Sequence, residues 1–220
     1  MIKYLLFDLD GTLTESGEGI IRSVQYALDK LGIKENNTEQ LRRFIGPPLV
    51  DSFMRHYGFP KEKALEAVEI YRERYGRTGI FENALYPGVE EMLQNLKAQG
   101  FILSVASSKP EHYVRQILDH FKITGYFDEI VGATMDGKRL TKTHVIDEAL
   151  RRLDLFERKD EILMIGDTEH DILGAREFGI HCVVVTYGYG DPDKVRVEEP
   201  YKIVDSAEEL TDYLLSLSSR

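Results

Sequence analysis

From Pro87 to its end the chain alternates between two textures, and this alternation limits the folds open to it. "PGVEEMLQNLKAQG" reads as a helix with proline at its start and glycine at its end. "FILSVA", "EIVGA", "EILMIG", "HCVVVTYG" and "YKIVD" read as strands. Between and after them, "PEHYVRQILDHF", "KTHVIDEALRRL", "DTEHDILGAREFG" and "SAEELTDYLLSL" carry apolar residues at helical spacing. Strands that are apolar throughout, separated by amphipathic helices, predict a parallel sheet covered on both faces.

The front of the chain differs. One more apolar strand, Tyr4-Leu5-Leu6-Phe7, opens it, and residues from about 15 to 82 then read as helices with no convincing strand. Ile20, Val24, Ala27, Leu28 and Leu31 fall at helical spacing and Gly32 closes the run. Thr38 is placed to cap a short helix to Phe44, and a further helix resumes at Pro47 or Pro48 and runs to about Tyr57. A third begins at Pro60, with Leu65, Val68, Tyr71 and Tyr75 as its apolar stripe. The expected organisation is an α/β core of residues 1–14 and 83–220 with a helical insertion, 15–82, after the first strand.

Composition narrows the function classes. A chain of 220 residues that is 42% hydrophobic and 30% charged builds a sizeable core. Its net charge of -10 argues against nucleic acid as the main partner, because phosphate-backbone binding needs a basic face. No apolar run approaches the ~20 residues of a membrane span, and Asp8 and Asp10 interrupt the N-terminal apolar stretch, so a cytoplasmic protein with no membrane partner is expected. The single cysteine, Cys182, lies in an apolar run and reads as a small core residue. A small anionic partner needs only a local positive pocket. A homodimer is left open.

The chemistry gathers at strand ends, where open parallel sheets bind ligands. The first strand runs into Asp8-Leu9-Asp10-Gly11-Thr12, "FILSVA" into Ser107-Ser108-Lys109, and "EILMIG" into Asp167-Thr168-Glu169-His170-Asp171. Lys142 begins a helix. If these strands are neighbours, Asp8, Asp10, Ser107, Lys142 and Asp167 meet in one crevice. Several carboxylates together call for a cation, and hard oxygen donors suit Mg²⁺. A cation there attracts phosphate. One carboxylate can then attack phosphorus to give an aspartyl-phosphate while a second moves protons. Gly11 and Thr12 would let backbone N–H groups approach the phosphate, and Lys142 and the Ser107 hydroxyl would meet its oxygens. Ser108 is the alternative if the strand ends one residue later, and Lys109 and Lys138 compete with Lys142. His144 and His170 read as solvent-facing helix residues. Arg42 and Arg43 precede the "IGPP" loop, from which Arg43 could reach a substrate, and Tyr71, Tyr75 and Tyr86 read as packing within the insertion.

With "DLDGT" after a strand, "GDTEHD" after another, and Ser107 and Lys142 between them, the chain resembles the haloacid dehalogenase superfamily of phosphohydrolases over essentially its whole length. The resemblance implies a doubly wound, Rossmann-like core with an inserted α-helical cap that excludes water and selects the substrate. It implies Asp8 as nucleophile, and Asp10 as general acid/base whose backbone carbonyl also ligates metal. Ser107 and Lys142 become phosphate partners, Asp167 a metal-binding acid, and Asp171 a direct or indirect Mg²⁺ ligand. "FIGPPLVDSF", "YPGVEEML" and "VASSKPEHYVRQIL" are similar to the phosphoglycolate-phosphatase-like and 5'-nucleotidase-like members. The implied activity is a Mg²⁺-dependent phosphomonoesterase acting on a small phosphorylated metabolite, with phosphoglycolate phosphatase as the leading form. The alternatives are a 5'-nucleotidase or pyrophosphatase, then a phosphomutase, then a non-hydrolytic phospho-receiver. Many phosphoglycolate phosphatases carry Lys-Pro-x-Pro at the third motif. Here Lys142-Thr143-His144-Val145 stands instead, which weakens that substrate in particular.

Overall fold

The structure is a computed structural model and describes residues 1–218. The run Tyr4-Leu5-Leu6-Phe7 forms β1 (Tyr4–Phe7) and is buried at every position. Hiding Leu5, Leu6 and Phe7 from water is worth roughly 1.5–3 kcal/mol apiece. In chain order there follow β2 (Thr14–Glu15), α1 (Gly17–Lys30), α2 (Thr38–Arg42), α3 (Leu49–Tyr57), α4 (Lys61–Tyr75), β3 (Ala84–Leu85), α5 (Val89–Ala98), β4 (Ile102–Pro110), α6 (Glu111–His120), β5 (Glu129–Ala133) and α7 (Lys142–Leu153). The chain continues with β6 (Ile162–Gly166), α8 (Glu169–Arg176), β7 (His181–Val185), α9 (Pro192–Val197), β8 (Lys202–Val204) and α10 (Ala207–Ser218). It forms two compact units, residues 1–14 with 85–220, and residues 15–84.

The first unit holds a six-stranded sheet in the order β5-β4-β1-β6-β7-β8 with every neighbour parallel. β1 sits between two strands far from it in sequence, and Phe7 lies level with Val105 on one side and Ile165 on the other. The chain winds outward from β1 through β4 to β5, then returns to the other side of β1 to lay down β6, β7 and β8. That reversal opens a crevice at the carboxyl ends of β1, β4 and β6. Side chains alternate across the sheet. Tyr4 and Leu6 join a core with Val145, Ile146 and Leu150 of α7, Ile172 and Ala175 of α8, and Cys182 and Val184 of β7. Leu5 and Phe7 point to the opposite face. Strand β4 runs further than "FILSVA", carrying Ser107, Ser108 and Lys109 within it, and its register against β5 shifts between Ala106 and Pro110. Helix α9 has no counterpart among the expected elements, because a six-residue helix opening on Asp191-Pro192 is too short to show a period.

The second unit carries α1 to α4. Asn37, not Thr38, caps α2, its side chain accepting from the amides of Glu39 and Gln40. The two neighbours are both cap-competent, and the one preceding the first helical residue takes the role. In α4 the buried stripe is Ala64, Ala67, Val68, Tyr71 and Tyr75, while Leu65 faces solvent. Glu82 accepts two hydrogen bonds from the Arg74 guanidinium, at 2.7 and 2.8 Å, and one from Arg22 at 2.9 Å. Together they hold its carboxyl below the usual range, Arg74 contributing most against the cost of burial.

Candidate active site

Beyond β1, the amide of Asp8 still donates to the Ile165 carbonyl at 2.9 Å, so the sheet holds this residue in line with its strand. The chain then turns. Gly11 N–H donates to the Thr14 carbonyl and Thr12 and Leu13 N–H to that of Leu9. The amides of Gly11 and Thr12, expected to approach a phosphate, are therefore committed to closing the turn. Gly11 adopts φ +86, and a Cβ there would overlap the Asp167 carboxylate as well. Thr12 contributes differently, its hydroxyl reaching Asp167 Oδ1 at 3.4 Å.

Thr141 caps α7 by accepting from His144 N–H, and Lys142 follows at the first helical position. Its ammonium lies 2.8 Å from Asp8 Oδ1 and 2.8 Å from Asp171 Oδ1, and donates to the Ala106 carbonyl at 3.0 Å. The buried stem of Lys142 runs past Gly174 of α8, where a Cβ would come to 2.8 Å from its Cγ. Asp171, buried at the start of α8, turns its other oxygen to the amide and hydroxyl of Thr168. Asp167, at the end of β6, accepts from the Tyr189 amide at 2.7 Å. The "YGYG" loop after β7 lies so close that a Cβ on Gly188 or Gly190 would overlap Asp167. No feature of the first three motifs marks this loop, and the glycine spacing in "TYGYGD" is the one signal it leaves in the sequence.

Asp10 lies apart from the other three acids: its Oδ2 takes the ammonium of Lys109 at 2.6 Å. Lys109 is thus a site residue, and Lys138 is exposed and paired with Asp136. Ser107 is buried at the end of β4, its hydroxyl oxygen accepting from Lys109 N–H at 3.4 Å, and Ser108 is half-buried beside it. His170 is exposed, as is His144, which turns Nδ1 back to its own cap. Arg43 is exposed directly after α2 in the helical unit. Tyr86 lies outside the insertion in sequence. It belongs to the α/β unit, its ring 4.6 Å from that of Tyr187, whose hydroxyl donates to the Thr12 carbonyl.

Four carboxylates share this crevice with two ammonium groups. Burial pushes Asp8 up to about 6, against the pull of Lys142 and with the help of Asp171. Asp167 is raised well above the carboxylate range by burial, then by Asp171 and Asp8. Burial works against the Lys142 ammonium, yet Asp171 and Asp8 outweigh it and keep it charged. Such an excess of buried negative charge is unstable without a counter-charge. Asp8, Asp167 and Asp171 each bring a carboxylate oxygen to within 4.8 Å of one another. This is an all-oxygen donor set, and it fits a hard divalent cation. The carboxylate of Asp10, whose Oδ2 is held by Lys109, lies outside this set.

A parallel α/β sheet with a helical insert after its first strand thus carries a buried aspartate cluster at its switch point. Residues 5–185 match the family model described as haloacid dehalogenase-like hydrolase. The chain belongs to that family and is one of its phosphatases. It is 46% identical over 196 residues to a 5'-nucleotidase of Pseudomonas aeruginosa, covering 89% of this chain and 88% of that one. It is 39% identical over 191 residues to the tyrosine-protein kinase PtkA of Mycobacterium tuberculosis, of which the match spans 64%. A phosphoglycolate phosphatase of Vibrio parahaemolyticus is 27% identical, with 96% of this chain and 95% of that one covered. Among solved structures, a predicted phosphatase from Clostridium acetobutylicum superposes with a TM-score of 0.94 at 44% identity, covering 98% and 99% of the two chains. Among the described residues, no helix is long and apolar enough to cross a membrane.

Proposed function

We propose that this chain is a Mg²⁺-dependent phosphomonoesterase that hydrolyses nucleoside 5'-monophosphates through a phosphoryl group carried on Asp8. The observation that carries the chemistry is the placement of Asp8. It is a buried carboxylate in line with the central strand, faced by the Lys142 ammonium and grouped with Asp167 and Asp171. One oxygen of Asp8 attacks phosphorus as the ester P–O bond breaks. Asp10 gives its proton to the departing oxygen, then takes one from the water that cleaves the Asp8–phosphoryl bond, which releases phosphate and restores both residues. Lys142 and the Ser107 hydroxyl hold phosphoryl oxygens as charge develops on them. Asp8, Asp167 and Asp171, with the Asp10 carbonyl, would hold Mg²⁺, which supplies positive charge against the phosphoryl oxygens and the clustered carboxylates.

Similarity supports the choice of substrate. Identity to the Pseudomonas 5'-nucleotidase is well above that to the phosphoglycolate phosphatase, and the third motif already departs from the Lys-Pro-x-Pro pattern. Nucleotides thus replace phosphoglycolate as the preferred substrate. The test is phosphate release from nucleoside 5'-monophosphates, phosphoglycolate, sugar phosphates, phosphotyrosine and pyrophosphate, with Mg²⁺ or with EDTA. Metal-dependent release that is fastest from the nucleotides supports the reading. Faster release from phosphoglycolate would return the chain to that substrate, and no release from any ester would refute the phosphatase mechanism.

A further inference from the structure

Lys109 sits near the end of β4 beside Pro110, its side chain only 6% exposed, and the Asp10 side chain it meets is 11% exposed. Sequestering an ammonium group this deeply is unfavourable unless a carboxylate compensates. The compensation here is one-sided. Asp10 Oδ2 takes Lys109 at 2.6 Å, while Asp10 Oδ1 is buried with no hydrogen-bond partner. A purely structural ion pair would leave neither oxygen unsatisfied, because an orphaned buried acceptor destabilises the fold by about 1–3 kcal/mol. Lys109 is also tied to the phosphate side of the site, its amide donating to Ser107 Oγ at 3.4 Å.

Taking the phosphomonoesterase reading above, we infer that Lys109 is a positioning residue for Asp10: it fixes one carboxylate oxygen so that the other, Oδ1, is the one that carries the proton. In the first half-reaction Oδ1–H gives its proton to the ester oxygen as the P–O bond breaks. In the second, Oδ1 takes a proton from the attacking water. The ammonium of Lys109 keeps its own protons throughout and acts by holding Oδ2.

The inference separates leaving groups that need a proton from those that do not. A nucleoside 5'-monophosphate departs as an alkoxide and requires Asp10, whereas p-nitrophenyl phosphate departs as a stable phenolate. Single-turnover release of each alcohol is measured for wild type, Lys109→Met, Lys109→Gln and Lys109→Arg, with thermal unfolding as the check of fold. Lys109→Met slows nucleoside release about 100-fold and nitrophenolate release less than about threefold, with KM for both held within about twofold. Lys109→Gln reads the same contrast if the methionine variant does not fold, and Lys109→Arg recovers most of the rate. Equal slowing of both esters would overturn the inference, as would a raised KM with unchanged rates, which marks a phosphate contact. A wild-type chain that cleaves neither ester overturns the phosphatase reading and this inference with it.

Discussion

Two ion-pair clusters lie in the same α/β unit, and they are built on opposite plans. At the outer side of the sheet, Arg152 reaches Glu111, Glu129 and Glu148, Arg139 reaches Glu111 and Glu148, and Arg115 reaches Glu111. Acids and bases alternate there, and Arg152, Arg139 and Arg115 also donate to backbone carbonyls around edge strand β5. In the crevice, by contrast, four carboxylates share two ammonium groups, and Asp10 leaves its buried Oδ1 without a hydrogen bond. The matched cluster ties α6, α7 and β5 together. The unmatched one is left with an excess of buried negative charge. An unmatched buried cluster in a crevice marks a candidate functional site, whereas a matched network ties elements together.

The sharpest way to break this comparison is Asp8→Asn. Turnover should fall by at least about a thousandfold, while unfolding in the absence of metal moves little or toward greater stability, since a buried charge is removed. Glu111→Gln should do the reverse, lowering the unfolding midpoint and leaving turnover in place. Activity retained in Asp8→Asn would place both clusters in one class.

Lys142→Met comes next. It strands Asp8 and Asp171 as buried unpaired acids, so metal-free urea unfolding should show a loss of about 3–5 kcal/mol, and turnover should collapse with it. Arg152→Met, in a partly buried cluster whose other members re-pair, should lose about 1–2 kcal/mol and keep its activity.

Much of this site was legible before the fold. "DLDGT" stands out because an apolar strand has no structural reason to end in two like charges. Asp167 and Lys142 follow from the same logic of strand ends and helix starts, and Asp171 came only with the family resemblance. The Lys109–Asp10 pair was not legible, because its members lie 99 residues apart and a lysine before a proline looks like surface. Nor was the support of Asp167 by Gly188 and the Tyr189 amide, because backbone donors and missing Cβ atoms leave no chemical signature in a sequence. In the insertion, Leu65 lost its place in the stripe to Ala64 and Ala67. Close helix packing chose small residues over the large one that periodicity favoured.

Gly188→Ala tests that hidden support. Its Cβ overlaps both the Asp167 side chain and the Gly11 carbonyl, so Asp167 must shift and Mg²⁺ affinity should drop about tenfold by isothermal titration. Unchanged affinity would mean that the loop after β7 does not hold the metal-side acid.

The smallest effect belongs to the matched cluster under acid. Hydrogen bonds from Arg151, then Arg152, outweigh burial and hold Glu148 down to about 2. A depressed carboxylate stabilises the fold fully above its unfolded value of about 4.5, and that contribution fades as pH falls from there toward 2. Discounted for solvent screening, wild type should therefore lose roughly 0.5–1 kcal/mol more than Glu148→Gln across this window in acid-unfolding curves. Parallel curves would show that the network is not sensed through Glu148.

The proposed function requires the unmatched cluster to act through a phosphoryl group on Asp8. The direct measurement is an acid quench during turnover of a nucleoside 5'-monophosphate with Mg²⁺, followed by peptide mass analysis. One added phosphoryl group is expected on the peptide that carries Asp8, absent when EDTA replaces Mg²⁺ and absent in Asp8→Asn. Turnover that proceeds with no phosphoryl group on that peptide in any early quench, and that persists in Asp8→Asn, would contradict it.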